Sequence, residues 1–265
     1  MDAVVPLVSK LKLVSWNVNS LRAREPLVQK LIEQENPDIL CVQELKIDDG
    51  EYVNNFFTDY DYQTISQTQK SYNGVSISIK KQNRFKELKL SKLNDHQARN
   101  NTIILEDKNI ILLNNYFPNG NPIDSEKFGF KKQWMNALYN EVKNIKKKYE
   151  MIITGDFNVI PEDDDAHDIK KYKKDALAQP ESRKEFYKYL NLDLLDVFEN
   201  QPKNQSYTFF DYKTYKFGKE EGIRIDFFLT SPFLKSKVMK VKVLKEYREM
   251  ERPSDHCPIM MQLNI

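Results

Sequence analysis

The sequence predicts an α/β sandwich, two packed sheets with helices on the outside. Three observations predict it: strand-like runs outnumber helical ones, the helical stretches fall between groups of strands, and 265 residues of 40% apolar content can bury one large core. Folds of this kind and length are commonly single domains, so one domain over 1–265 is expected. Neither a repeat of solenoid period nor a Gly/Ser linker divides the chain.

Residues 11–18 set Lys12 and Ser15 among Leu13, Val14 and Trp16 and read as a strand. Over 26–35, Leu27, Val28, Leu31 and Ile32 recur at helical spacing, with Pro26 near the first turn. The apolar run 38–42 reads as a buried strand, and 74–79, with Val75, Ile77 and Ile79 alternating, as another. Residues 102–105 and 109–116 read as a hairpin across Asp107-Lys108. A long amphipathic helix is predicted over 125–149 from Phe128, Trp134, Leu138, Val142 and Ile145. Residues 151–154 form a wholly apolar strand, 180–190 a helix, and 224–229, 238–244 and 259–263 the closing strands. Stretch 162–179, acidic and then basic through Lys170, Lys171, Lys173 and Lys174, has no period and reads as a long surface loop.

Charge is dense but balanced, 41 basic against 39 acidic residues for a net +2. That balance does not demand a polyanionic partner. It permits one, because clustered lysines can form a local basic face while carboxylates gather at a metal. Cys41 and Cys257 both lie in apolar runs and read as buried thiols, which points to a reducing cytoplasm. The N-terminus lacks the basic start and apolar core of a signal peptide, and no stretch approaches a membrane span, so no membrane partner is expected.

Five polar motifs attach to these runs: Ser15-Trp16-Asn17-Val18-Asn19, Gln43-Glu44, Gly155-Asp156-Phe157-Asn158, Arg224-Ile225-Asp226 and Ser254-Asp255-His256. Strand ends that converge on one rim are a common way to build a cleft. Glu44, after a buried strand, faces a rim or is an unpaired buried charge. A hard divalent cation takes oxygen ligands and keeps several waters, so Glu44 with the neutral oxygen of Asn17 could hold one. No His/Cys cluster has zinc spacing. Gly155 lets the backbone turn, and in alternating geometry Asp156 and Asn158 point the same way; an Asp-x-Asn turn is the plainer alternative. Asp226, alone in an apolar strand, needs a partner such as His256 or an amide. Asp255 could instead orient His256 through a ring N–H. Ser206 to Tyr212 is rich in aromatics and followed by Lys213, Lys216 and Lys219, a mix able to stack on bases and neutralise phosphates. Arg22, Arg24, Lys46, Lys70 and Arg99 are further candidates for phosphate contacts. His96 and His167 match no motif and read as surface or structural residues.

Together these motifs resemble the exonuclease III family of abasic-site endonucleases, within the wider endonuclease/exonuclease/phosphatase superfamily that includes deoxyribonuclease I. The resemblance runs from Lys12 to Leu263. It implies a four-layer α/β sandwich, two mostly antiparallel β-sheets flanked by helices, as in deoxyribonuclease I. It implies Mg2+ (or Mn2+) on Glu44, with Asn17 and Asp255 as further ligands. Asp156 then activates water, while Asn158, His256 and the matching Tyr116 hold the phosphate; Asp255 holds His256, and Asp226 orients groups near the site. Phe209, Ile223 and Ile225 match a small pocket for a baseless sugar. Asn19, Lys46, Arg99 and Arg224 are carried as substrate-binding residues. The implied substrate is double-stranded DNA with abasic sites or 3′ ends, cut by a monomer. Two rivals stand beside it. One is another phosphoesterase of the superfamily, acting on phosphoinositides, sphingomyelin or RNA tails; the other is a non-catalytic DNA-binding protein.

Overall fold

The computed structural model describes residues 10–93, 97–212 and 221–265. His96, Lys213, Lys216 and Lys219 lie outside them. In chain order the main elements are β1 (Lys10–Asn17), α1 (Leu21–Glu35), β2 (Ile39–Gln43), α2 (Gly50–Thr58), β3 (Tyr62–Gln67), β4 (Val75–Lys80), β5 (Phe85–Glu87), β6 (Asn100–Leu105) and β7 (Ile110–Tyr116). They continue with α3 (Glu126–Ile145), β8 (Glu150–Asp156), α4 (Pro180–Leu190), β9 (Leu195–Asp196), β10 (Asp226–Thr230), α5 (Pro232–Ser236), β11 (Val238–Val243) and β12 (Ile259–Asn264).

Two six-stranded sheets result, ordered β11-β12-β1-β2-β4-β3 and β5-β6-β7-β8-β10-β9. Each has one parallel pair, β1 with β2 and β7 with β8, among antiparallel ones. Side-chain alternation sorts the core into three layers. Leu13, Cys41 and Ile77 of the first sheet face Ile103, Leu112, Ile152 and Phe228 of the second. The opposite sides of the strands, Val14, Trp16, Leu40 and Val42, pack under Val28, Leu31, Ile32, Val53 and Phe57 of α1 and α2. On the far side Ile111, Leu113, Ile153 and Phe227 pack under Trp134, Met135, Leu138, Phe186 and Tyr189 of α3 and α4. Runs such as 110–113 and 151–153 are apolar at every position because both their faces are covered. The four-layer α/β sandwich expected from the sequence is the fold observed.

The differences in detail have local causes. Helix α1 starts at Leu21, five residues before the predicted start, so Pro26 lies inside it. Buried Leu21 anchors that added turn, which carries Arg24 toward the rim. Helix α3 ends at Ile145 because Lys146, Lys147 and Lys148 bring nothing apolar to bury. Segment 162–179 is not a plain surface loop. It forms three short 3-10 helices that bury Asp165, Ala176 and Leu177. Strand β3 buries only Tyr62, as an edge strand can, and so gave no apolar run to read. Among the described residues no helix is long and apolar enough to cross a membrane.

Candidate active site

Strand register builds the site. In the first sheet Asn17 lies opposite Gln43 at the ends of the parallel pair β1 and β2, so Asn17 and Glu44 emerge side by side. In the second, Tyr116 pairs with Asp156 across β7 and β8, and Asp156 with Asp226 across β8 and β10. One row of polar side chains thus crosses each sheet at the same rim. Gly155 is required there: at φ 124°, a Cβ would come within 1.9 Å of the Asn115 carbonyl oxygen on β7.

Beyond the strand ends the backbone enters left-handed conformations at Asn19, Glu44, Lys46 and Asn158. Such residues are uncommon outside sites where the surroundings hold them in place. Asn158 forms the Asp-x-Asn turn: its N–H donates to Asp156 Oδ1 (2.9 Å), and its amide nitrogen to Asp156 Oδ2 (3.2 Å) and the Phe117 carbonyl (3.0 Å). The two side chains meet through this turn and not through strand alternation. The other motifs interlock. Trp16 Nε1 donates to the His256 carbonyl (3.0 Å). The Ser254 hydroxyl donates to the Asn17 carbonyl (2.7 Å) and accepts from His256 N–H (3.2 Å). Phe209 bridges both His256 and Ile223, which fixes the aromatic segment against the Ser-Asp-His turn.

At the centre, Asn17 Nδ2 donates to Glu44 Oε1 (2.8 Å) and to Asp156 Oδ2 (3.0 Å). His256 Nδ1 meets Asp226 Oδ2 at 2.8 Å, and its Nε2 lies 3.7 Å from Asp156 Oδ2. Burial opposes charge on this imidazole, but Asp226 and Asp156 outweigh it and raise its pKa. Burial raises the Asp156 carboxyl, opposed by His256 and assisted by Asp226 and Glu44; the net shift is upward. Burial also works against charge on Glu44, yet Lys46, 2.8 Å away, and the Asn17 amide leave that carboxyl below its usual range. Tyr116 is held well above the usual phenol range by burial, by the negative charge of Glu44 and Asp156, and by a hydrogen bond to Glu44.

Glu44, Asp156 and His256 present potential ligand atoms within 4.8 Å of one another. An imidazole whose Nδ1 is engaged by Asp226 and which is held protonated has no lone pair to give, which leaves Glu44, the carboxyl kept ionised, as the natural ligand with Asp156 beside it. Two like charges brought together in a buried site, one with a raised pKa, fit an oxygen-ligated cation.

The structure brings Asn17, Asn19, Glu44, Lys46, Tyr116, Asp156, Asn158, Asp226, Asp255 and His256 to one rim. Four expectations need correction. Asn17 turns its amide nitrogen, not its oxygen, to the two carboxylates, and the oxygen accepts from Asn19 N–H (3.0 Å). Asp226, not Asp255, holds the His256 ring; Asp255 Oδ1 accepts from Asn19 Nδ2 (3.1 Å) and lies outside the group formed by Glu44, Asp156 and His256. Arg224 turns away from the cleft. Its Nε meets Asp165 at 2.7 Å and its Nη1 meets Asp196, with side-chain exposure of 5%. Arg24 is committed to the carbonyls of Asn19 and Pro253 and to the Tyr212 hydroxyl. Lys46 binds Asn19 Oδ1 as well as Glu44. Arg99 lies 5.0 Å over the Tyr116 ring, beside a groove of about 540 Å³ lined by Tyr72, Tyr116, Asn119, Lys127 and Phe130. Phe209 stands edge-on to His256 (ring centroids 5.0 Å), with buried Ile223 and Ile225 behind it. His167 is exposed, beside Ala166, which bridges Ile223. Sequence reasoning missed Arg248, a buried guanidinium bound to the Ser254 and Phe210 carbonyls, because nothing near it in sequence points to that turn.

The model of the endonuclease/exonuclease/phosphatase family matches residues 14–256. The chain is similar to exodeoxyribonuclease III of Haemophilus influenzae, at 29% identity over 264 residues covering 94% of this chain and 98% of that one. Among solved structures it is similar to a 3′ phosphatase from Neisseria bound to a product DNA hairpin, at 32% identity and TM-score 0.89, covering 96% of this chain and all of that one. It is similar also to an AP endonuclease from Archaeoglobus fulgidus, at 29% identity and TM-score 0.88, with the same coverage.

Proposed function

The chain belongs to the endonuclease/exonuclease/phosphatase family, and from that premise we propose that it is a metal-dependent DNA repair hydrolase. It cleaves the phosphodiester 5′ of an abasic site to leave a 3′-hydroxyl, and it trims duplex 3′ ends as an exonuclease and end-cleaning phosphatase. Relatives named as exodeoxyribonuclease III and as AP endonuclease, similar over nearly the whole chain, support both activities.

One observation carries the chemistry: a buried imidazole clamped between Asp226 and Asp156, with Glu44 at the same point. Mg2+ (or Mn2+), held by Glu44 with Asn17 beside it, would neutralise charge on the phosphoryl oxygens. Asp156 takes a proton from the attacking water; its raised pKa brings it nearer the working pH, where a general base is most effective. As water oxygen bonds to phosphorus, the bond to the 3′ oxygen breaks, and that oxygen takes a proton from solvent and leaves as the hydroxyl. His256, kept charged by Asp226, donates to a phosphoryl oxygen. The Asn158 amide and the Tyr116 hydroxyl, which stays protonated, donate to others. Phe209, Ile223 and Ile225 offer an apolar wall for a sugar without its base, whose extrusion from the stack costs least.

The test is a labelled duplex carrying one abasic analogue, incubated with Mg2+ and with EDTA, beside an intact duplex, a 3′-phosphate end, a phosphoinositide and a polyadenylate strand. Metal-dependent incision at the abasic position is expected. Turnover of the phosphoinositide or polyadenylate alone, or none under any metal, would sink the proposal.

A further inference from the structure

We propose that Lys131 is a positioning residue for the phosphate-binding turn, its ammonium fixing the backbone of Asn158 and Asn119 from inside α3. This rests on the reading of Asn158 as a phosphoryl ligand. Lys131 has no exposed surface and lies on the face of α3 that also buries Trp134, Met135 and Leu138. A lysine in such a position is costly unless its donors are matched. Its partners are not carboxylates: Nζ donates to the backbone carbonyls of Asn158 (2.5 Å) and Asn119 (3.1 Å).

Those carbonyls belong to the two turns that follow β8 and β7, the parallel pair carrying Asp156 and Tyr116. Asn158 is held left-handed at φ 49°, a conformation that Asn adopts more readily than other L-residues but that the surroundings must still hold in place. The same two turns are joined at side-chain level, where Asn119 Nδ2 donates to Asn158 Oδ1 (3.1 Å). That bond leaves the Asn158 amide nitrogen facing Asp156 and the Phe117 carbonyl of the turn after β7. Lys131 therefore holds the main chain at both ends of the link that aims this amide. Its stem passes beneath Gly120, where a Cβ would come within 2.7 Å of Lys131 Cδ. Asn121 completes the support by binding Asp175 and Ala176. Burial draws the Lys131 ammonium down to about 7, with Asp175 and Asp156 acting against that fall.

A lysine that merely ties two loops together would affect stability, and its loss would add to that of Asn158. One that aims Asn158 has nothing left to aim once the amide is gone. The test is a double-mutant cycle of Lys131→Met and Asn158→Ala on the abasic duplex under Mg2+, with thermal melts of each variant. Lys131→Met alone is expected to lower kcat by about tenfold to a hundredfold, with KM within about threefold. In the Asn158→Ala background the same change is expected to cost less than about threefold. Losses that multiply, or a Lys131→Met enzyme of near wild-type kcat, would overturn the proposal. If Lys131→Met does not fold, Lys131→Gln, which keeps one donor group, carries the same cycle. A wild-type enzyme that fails to incise refutes the functional reading instead, so the two failures are distinguishable.

Discussion

Asp156 carries the heaviest demand of any single residue in the site. It accepts hydrogen bonds from the Asn158 N–H and amide and from the Asn17 amide, which leaves no donor of its own to interfere with a water's proton. Asp156→Asn keeps the shape and removes the base. Since a general base is typically worth about 10²–10⁴ in rate, turnover should fall by at least two decades while duplex affinity stays within a fewfold. Single-turnover cleavage and anisotropy binding on one preparation measure both, and near wild-type cleavage would remove Asp156 from the mechanism. The pH profile follows from the same cluster. Activity needs Asp156 unprotonated, and its pKa is raised, so the acid limb of kcat/KM should lie above the pH of about 4 expected for an ordinary Asp. His256 acts as the charged donor and its pKa is also raised, so activity fades as the solution becomes alkaline enough to discharge it. Asp226→Asn removes the carboxylate 2.8 Å from Nδ1, and the alkaline limb should move to lower pH. An unmoved limb would show that another group sets it.

Elements decide which of these residues meet, and here local sequence is informative in proportion to how local the cause is. Asn17, Glu44 and Asp156 were legible because each ends a strand whose apolar run is contiguous, and parallel pairing then fixes their register. The partner of His256 was only half legible. The residues left Asp226 and Asp255 both open and the resemblance implied Asp255, whereas the antiparallel pairing of β8 with β10 brings Asp226 to the ring. Arg224 was misread for the same reason. Its neighbours Ile225 and Asp226 face the site, but its charge answers Asp165 and Asp196, which sit far away in the sequence and carry no periodic signal. That placement makes a prediction about stability. Arg224→Met would take the guanidinium from Asp196 and from the fully buried Asp165, which keeps Lys203 at 2.9 Å, so the loss should approach about 3 kcal/mol, the low end for breaking a buried ion pair from one side. Urea unfolding should register a loss of that order. A loss confined to DNA affinity, with the unfolding midpoint unchanged, would return Arg224 to the substrate-binding role.

At the scale of the whole molecule, the site exists only where two sheets meet. The first sheet supplies Asn17 and leads to Glu44, the second supplies Tyr116, Asp156 and Asp226, and the turn before β12 brings His256 across. A buried polar tie crosses between the sheets just below: Gln43 Nε2 donates to Asn114 Oδ1 (2.6 Å), and Asn114 Nδ2 to the Val42 and Ser76 carbonyls. A rigid rim of this kind suits a rigid duplex, and a net charge of +2 adds little overall attraction for one. Duplex affinity must then come from phosphate contacts around the rim, where Lys127 and Arg99 line the groove beside Tyr116. Contacts of that sort release counterions, and each phosphate neutralised adds about −0.9 to the slope of log affinity against log salt. A duplex gripped on both flanks of its scissile bond engages at least two phosphates, so a slope of about −2 or steeper is expected. Asp156→Asn permits the measurement with metal present and cleavage suppressed, as anisotropy of a labelled abasic duplex across a KCl series. A flat response would mean that the rim does not meet a DNA backbone at all, and the hydrolase would then have to be sought among phosphoesters with a single small headgroup.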